Sequence, residues 1–333
     1  MHSTKFKELL LKCNLKIARL GRACIRSFFG CDRVNIIQFM VLLMFINPKT
    51  DFAFKKIFGS QQSTDILISF LNAILYDGRD EIVELEILDP YQPPRIKGMK
   101  DSFLDVKAKL HDRTTVVVEM QVLNVFGFEK RVLYNAAKFY ATQLSIGDGH
   151  TLLSPVIALT ITDFEMFPKS QKVISTFTFR EKEELTSYCD DIELVFIELP
   201  KFKKSLEALE SLSDKWIYFL RNANKLQSVP SSMEQEPALE HAFRVAEQSQ
   251  LSREELETLE QQSMVLHDSA NAIIFAEQQG EERGEIKGKR EGKREAAIAI
   301  ASRLFDILDL ETIAQKTGLT LEELRSIERN HTS

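Results

Sequence analysis

The stretch Ser102-Phe-Leu-Asp-Val-Lys-Ala-Lys-Leu110, with His111-Asp-Arg113 behind it and then Thr115-Val-Val-Val-Glu-Met-Gln-Val122, decides how this chain is read. Apolar and polar residues alternate and β-branched side chains are dense, so both segments are expected to be strands joined by a tight polar turn. In that hairpin Asp105 falls roughly opposite Glu119. Opposed residues of an antiparallel pair have Cβ atoms about 4.5–5.5 Å apart, close enough for two carboxylates to share a hard divalent cation. The period of two puts Gln121 on the face of Glu119.

The same pattern also describes a solvated strand face that carries charges. Against this stands the run Val116-Val-Val118 just before Glu119, since unbroken apolar runs mark strands covered on both faces. A carboxylate placed there must be paired, bound to a metal or at a strand end. A shared cation also relieves the mutual repulsion of two adjacent acids.

Around the hairpin the pattern predicts helices at 51–58 and 63–76, a strand at 82–88, a helix at 128–146 and a strand at 155–163. Further strands are expected near 175–180 and 191–199. This order suits a mixed sheet flanked by helices. After Pro200 the chain turns helical, with Leu206, Leu209, Leu212, Trp216, Phe219 and Leu220 on one face. Ser228-Val-Pro-Ser-Ser232 reads as a linker.

Gly280, Gly284, Gly288 and Gly292 recur every fourth residue among Glu, Lys and Arg. They fit an extended solvated helix or a flexible spacer, and on a helix they would line one face open to a second chain. The segment Glu311 to Leu324 reads as two short helices around Gly318, a packing or dimerisation element poor in base-reading side chains.

At 333 residues and 44% hydrophobic content the chain can bury a full core and leave a second region. The net charge of −6 does not advertise a nucleic-acid binder. Even so, Lys49, Lys55, Lys56, Lys97, Lys100, Lys107, Lys109, Lys130, Arg131 and Lys138 gather in sequence around the hairpin as a candidate basic rim. Four cysteines without Cys-x-x-Cys spacing argue against a zinc site or disulfide framework and fit a reducing cytoplasm. No nucleophile elbow or phosphate-binding P-loop is present, which argues against a serine hydrolase and a P-loop ATPase.

Residues 1–43 are basic and run into the apolar stretch Val34–Ile46, too short for the ~20 residues of a membrane-spanning helix. A compact basic start and small-residue cleavage site are both missing, so no signal peptide is expected. The preferred reading is a start assigned upstream of Met44, the alternative a basic arm touching DNA or a membrane surface.

Asp105 followed by Glu119-x-Gln121 on a hairpin resembles the catalytic signature of the PD-(D/E)XK nuclease superfamily. More narrowly, the chain resembles the Rpn family of recombination-promoting nucleases and transposases, from about residue 44 to the C-terminus. The similarity includes Asn47-Pro-Lys-Thr-Asp-Phe-Ala-Phe-Lys-Lys-Ile-Phe-Gly59, the helix Arg131 to Leu144, the strand Pro155 to Ile161, Phe196 to Lys203 and Asp214 to Leu220.

The resemblance implies an α/β fold with a restriction-endonuclease-like core and a helical C-terminal region. The expected divisions are a basic extension at 1–43, the nuclease-like domain with its trailing helix at 44–228 and a helical region at 229–279. A glycine and charge linker at 280–295 and a small helical element at 296–333 follow. It further implies a magnesium-dependent endonuclease acting on DNA. Asp105, Glu119 and the Met120 carbonyl would hold the ion, Gln121 would orient the attacking water, and Asp51 on the opening helix would add an acid.

Asp51 equally suits the first turn of a helix, where the dipole favours a carboxylate. Gln121 stands where the superfamily pattern has lysine, and a glutamine can position water but carries no charge. Lys107 shares the face of Asp105 and is a candidate for that charge or an ordinary solvated lysine. The competing functional reading is an inactive nucleic-acid or protein-binding module on the same fold, and a ribonuclease would share the chemistry. No stable membrane association is expected, and self-association would run through the C-terminal helices. Strand transfer needs a 3′-hydroxyl nucleophile that these residues do not specify.

Overall fold

The computed structural model describes residues 45–92 and 102–331. The 1–43 extension, Met44, Lys97 and Lys100 lie outside them. By contacts the chain divides into residues 1–262 and 263–333.

The first unit is a mixed six-stranded sheet with helices on both faces. Its elements are α1 (Asp51–Phe58), α2 (Thr64–Leu75), β1 (Leu85–Leu88), β2 (Tyr91–Gln92), β3 (Ser102–Phe103), β4 (Val106–Leu110), β5 (Thr115–Gln121) and α3 (Phe128–Ala141). After these come β6 (Val156–Thr162), β7 (Ile174–Arg180), β8 (Ser187–Glu198), α4 (Leu212–Asn222), α5 (Ser231–Glu234) and α6 (Pro237–Val245). The strand order is β1-β4-β5-β6-β8-β7, with β2 and β3 forming a separate ribbon. β5, β6 and β8 run parallel, while β4 is antiparallel to β5 and β7 to β8.

Parallel strands need cover on both faces, and the side chains supply it. All seven residues of β6 are buried. Val116 and Val118 of β5 face the main core with Phe54, Phe58, Phe70 and Trp216, whereas Val117 faces Ala136 and Phe139 of α3. Residues beyond 228 add to that main core through Met233, Leu239, Ala242, Phe243, Ala246, Leu251 and Leu259.

Several boundaries differ from expectation by a few residues, the strand expected from 191 starting at Ser187, and two of the differences have local reasons. The strand expected from residue 82 starts at Leu85, because Asn72 takes both main-chain groups of Ile82, donating at 2.9 Å and accepting at 2.8 Å. The helix expected to reach 146 ends at Ala141, where Thr142 Oγ1 donates to the Lys138 carbonyl at 2.7 Å.

The hairpin's first arm is also two pieces. Ser102–Phe103 pairs with Tyr91–Gln92, and the chain bends at Asp105 before Val106–Leu110 pairs with β5. This bend positions the site.

α7 (Arg253–Leu304) is continuous through residues 280–295. A Cβ added at Gly280, Gly284, Gly288 or Gly292 would meet nothing within 4 Å. In the second unit, α8 (Leu310–Thr317) and α9 (Leu321–His331) pack on the end of α7 through Ala301, Ile313, Leu319 and Leu324. Gly318 caps α8 with φ of 71°, a conformation glycine adopts without a Cβ clash. Among the described residues no helix is long and apolar enough to cross a membrane.

Candidate active site

The hairpin register sets the geometry. Val106 pairs with Val118, so Asp105, one residue before the ladder, falls opposite Glu119. The bend turns the Asp105 side chain onto the next strand, and Oδ2 accepts the Met120 main-chain N–H at 2.7 Å.

Two groups of side chains meet at this junction. On the α1 side, Lys55 Nζ lies 2.6 Å from Asp51 Oδ1 and 3.7 Å from Asp105 Oδ1. Thr50 caps α1, which places Asp51 in its first turn and Lys55 one turn later. Asp51 therefore serves as a first-turn acid and also lies beside the Asp105 carboxyl, whose pKa it helps to raise. Gln262 steadies this end, accepting from the Phe52 N–H at 2.8 Å and donating to Asp51 Oδ2 at 3.3 Å.

On the α3 side, one nitrogen of Arg131, Nη2, donates to Glu119 Oε1 at 2.7 Å and to Gln121 Oε1 at 2.6 Å. The Gln121 amide also donates to the Leu123 carbonyl at 2.7 Å, which fixes its orientation. Gly127, at φ of 79°, turns the chain from β5 into α3 and lets Phe128 and Val132 bury against Phe196. The guanidinium sits 5.0 Å from the Phe128 ring centre.

Burial dominates the electrostatics. It pushes the Asp105 carboxyl up to about 7, opposed by the Met120 N–H and by Lys55 and reinforced by Asp51. Glu119 is also raised by burial, with Arg131 pulling it back. Each of these poorly solvated carboxyls has an internal cation beside it, Lys55 for Asp105 and Arg131 for Glu119.

The donor set consists of hard oxygens, which suits a magnesium-class ion rather than zinc or copper. Among the described residues no three His, Cys, Asp or Glu side chains form a ready metal cage. Magnesium does not need one, since it binds through one or two carboxylates and keeps several waters.

Lys107 lies in register with Val117, and its Nζ sits 5.1 Å over the Phe139 ring, where burial lowers its pKa. Part of the expected basic rim is engaged internally. Lys49 pairs with Asp163 at 2.6 Å and Lys56 with Glu255 at 2.5 Å, while Lys138 is buried.

Sequence reasoning placed Arg131 and Lys55 only among the rim residues and missed their contacts with the acids. The available signals were the i,i+4 spacing of Asp51 and Lys55 and the position of Arg131 in the first turn after β5.

A family described as PD-(D/E)XK nuclease family transposase matches residues 48–276. Neither a curated protein nor a solved structure matches the chain.

Proposed function

Because the chain belongs to the PD-(D/E)XK nuclease family transposases, we propose that it is a magnesium-dependent DNA endonuclease of recombination or mobile elements, with its site at Asp105, Glu119, Gln121 and Asp51. The observation that carries this reading is the opposition of Asp105 and Glu119, tied by the Met120 N–H to Asp105 Oδ2 bond of 2.7 Å. Two half-buried acids held side by side are costly unless a cation is shared or placed beside them.

In this reading Asp105, Glu119 and the Met120 carbonyl would hold the ion. A bound divalent cation lowers the pKa of water and neutralises charge developing on the phosphate. Gln121 orients the attacking water through the side-chain carbonyl of an amide already fixed by its bond to the Leu123 carbonyl. Asp51 with Lys55 holds the Asp105 carboxyl in place. The water oxygen would bond to phosphorus as the opposite P–O bond breaks, the water losing a proton and the departing oxygen taking one from solvent, so the product is a hydrolysed strand rather than a transferred one.

The internal pairing of Glu119 with Arg131 supports a second reading, a nuclease fold kept as a nucleic-acid or protein-binding module. Plasmid cleavage by the full chain separates the two. Nicking that requires magnesium, stops with EDTA and is lost in both Asp105→Ala and Glu119→Ala supports the nuclease. Binding of the ion and of DNA with no cut strand supports the module.

A further inference from the structure

The uncharged Gln121 leaves the site in need of a cation for the phosphate. Lys55 is bound to Asp51 at 2.6 Å, and Lys107 rests on the Phe139 ring. Lys55 is as exposed as Arg131, 42% against 44%, but is a single point charge, whereas Arg131 presents a planar fork. Its bonds to Glu119 and Gln121 come from Nη2 alone, so Nη1 and Nε can serve a further acceptor. Its side chain is 44% exposed against 15% for Glu119, so the guanidinium is the outer member of the pair. A planar guanidinium also matches two phosphate oxygens in a way an ammonium does not.

We propose that Arg131 is the phosphate-binding residue of this site, held on Glu119 and Gln121 until a divalent cation takes the Glu119 carboxylate and frees it for the substrate. The inference rests on the nuclease reading above.

Three features of the chain support the exchange. The guanidinium sits on Glu119 Oε1, and a divalent cation drawn to the same carboxylate competes with it for that one negative charge. Burial of Phe128 and Val132 fixes the helix, so only the Arg131 side chain has to move. The Phe128 face, 5.0 Å away, gives the guanidinium a platform that persists after it leaves the carboxylate. Arg131 thus protects Glu119 from an unpaired charge when the cation is absent and becomes available when the cation is present.

The test uses the full chain as wild type, Arg131→Ala and Arg131→Lys. Free Mn2+ is titrated by electron paramagnetic resonance without nucleic acid, and duplex DNA binding is measured in Ca2+, in place of magnesium to suppress cleavage. Removing the competing cation should tighten Mn2+ binding by Arg131→Ala about 5- to 10-fold. The same variant should bind DNA about 10-fold more weakly and cut it about 100-fold more slowly, with Arg131→Lys between it and wild type. Mn2+ affinity that is unchanged or weaker in Arg131→Ala overturns the proposal, as does unchanged DNA binding. If the alanine variant does not fold, the same comparisons are made with Arg131→Lys. A wild type that shows the exchange yet cuts nothing removes the nuclease reading and leaves the Arg131 assignment standing, whereas a wild type that binds no Mn2+ removes both.

Discussion

The main-chain N–H of Met120 donates to the Asp105 carboxylate across 2.7 Å, tying the bend before β4 to the strand that carries Glu119. The bond joins Asp105, with Asp51 and Lys55 of α1 beside it, to the strand whose Glu119 pairs with Arg131 of α3. It is a hydrogen bond within the fold as well as part of the site, and replacements at Asp105 separate the two roles.

Asp105→Asn keeps an acceptor for Met120 and removes a charge that burial disfavours. In metal-free protein at pH 8 it should gain on the order of 2 kcal/mol, or roughly 4–8 °C in thermal midpoint, while losing cleavage. Asp105→Ala leaves the Met120 N–H without this acceptor and should be less stable than Asp105→Asn by about 1–3 kcal/mol. Differential scanning calorimetry of the three proteins in EDTA checks the order, and an Asn variant less stable than wild type would refute it.

Asp105 also predicts a pH dependence. Its carboxyl sits at about 7 in the fold against an ordinary 3.8, so between these values the folded state holds a proton that the unfolded chain has released. Stability contributed by this group is therefore full below about pH 4, declines as pH rises towards 7 and is flat above. The slope approaches about 1.4 kcal/mol per unit at most. Urea unfolding in EDTA from pH 5 to 8 should show this decline in wild type and a flatter profile in Asp105→Asn.

Asp51 lies beside Asp105 and raises its pKa. Asp51→Asn should therefore lower the Asp105 pKa in the metal-free protein by about half to one unit. The pH dependence of urea unfolding in EDTA, compared between wild type and Asp51→Asn, tests this. An unchanged profile would leave Asp51 as a helix-start residue only.

Away from the site, Glu198 and Lys201 form a buried ion pair at 2.6 Å. Glu198 also accepts from the Met166 and Phe167 N–H groups at 2.6 and 3.0 Å. Lys201→Met strands a charge in the interior and should cost about 3–5 kcal/mol, while the double variant with Glu198→Gln should recover much of it. Trp216 is the chain's single tryptophan and is fully buried, so its fluorescence follows the unfolding directly.

Much of the fold was legible in the sequence because it depends on local spacing. Alternation in 102–110 and 115–122 marked the hairpin, and the run Val116–Val118 marked a strand covered on both faces, as Val117 against α3 and its neighbours against Trp216 show. The first-turn position of Asp51 was readable from Pro48 and Thr50. Boundaries were missed where a side chain competes for the backbone, as Asn72 does for Ile82.

By itself the sequence determined the mixed α/β architecture and the opposition of Asp105 and Glu119, since strand period and turn length fix register over a few residues. Tertiary structure alone decided which cations face those acids. Lys55 and Arg131 stand on helices 50 and 12 residues from the acids they contact. Their directions follow from how α1 and α3 bury their apolar faces on the sheet, and periodicity along the chain carries no information about that.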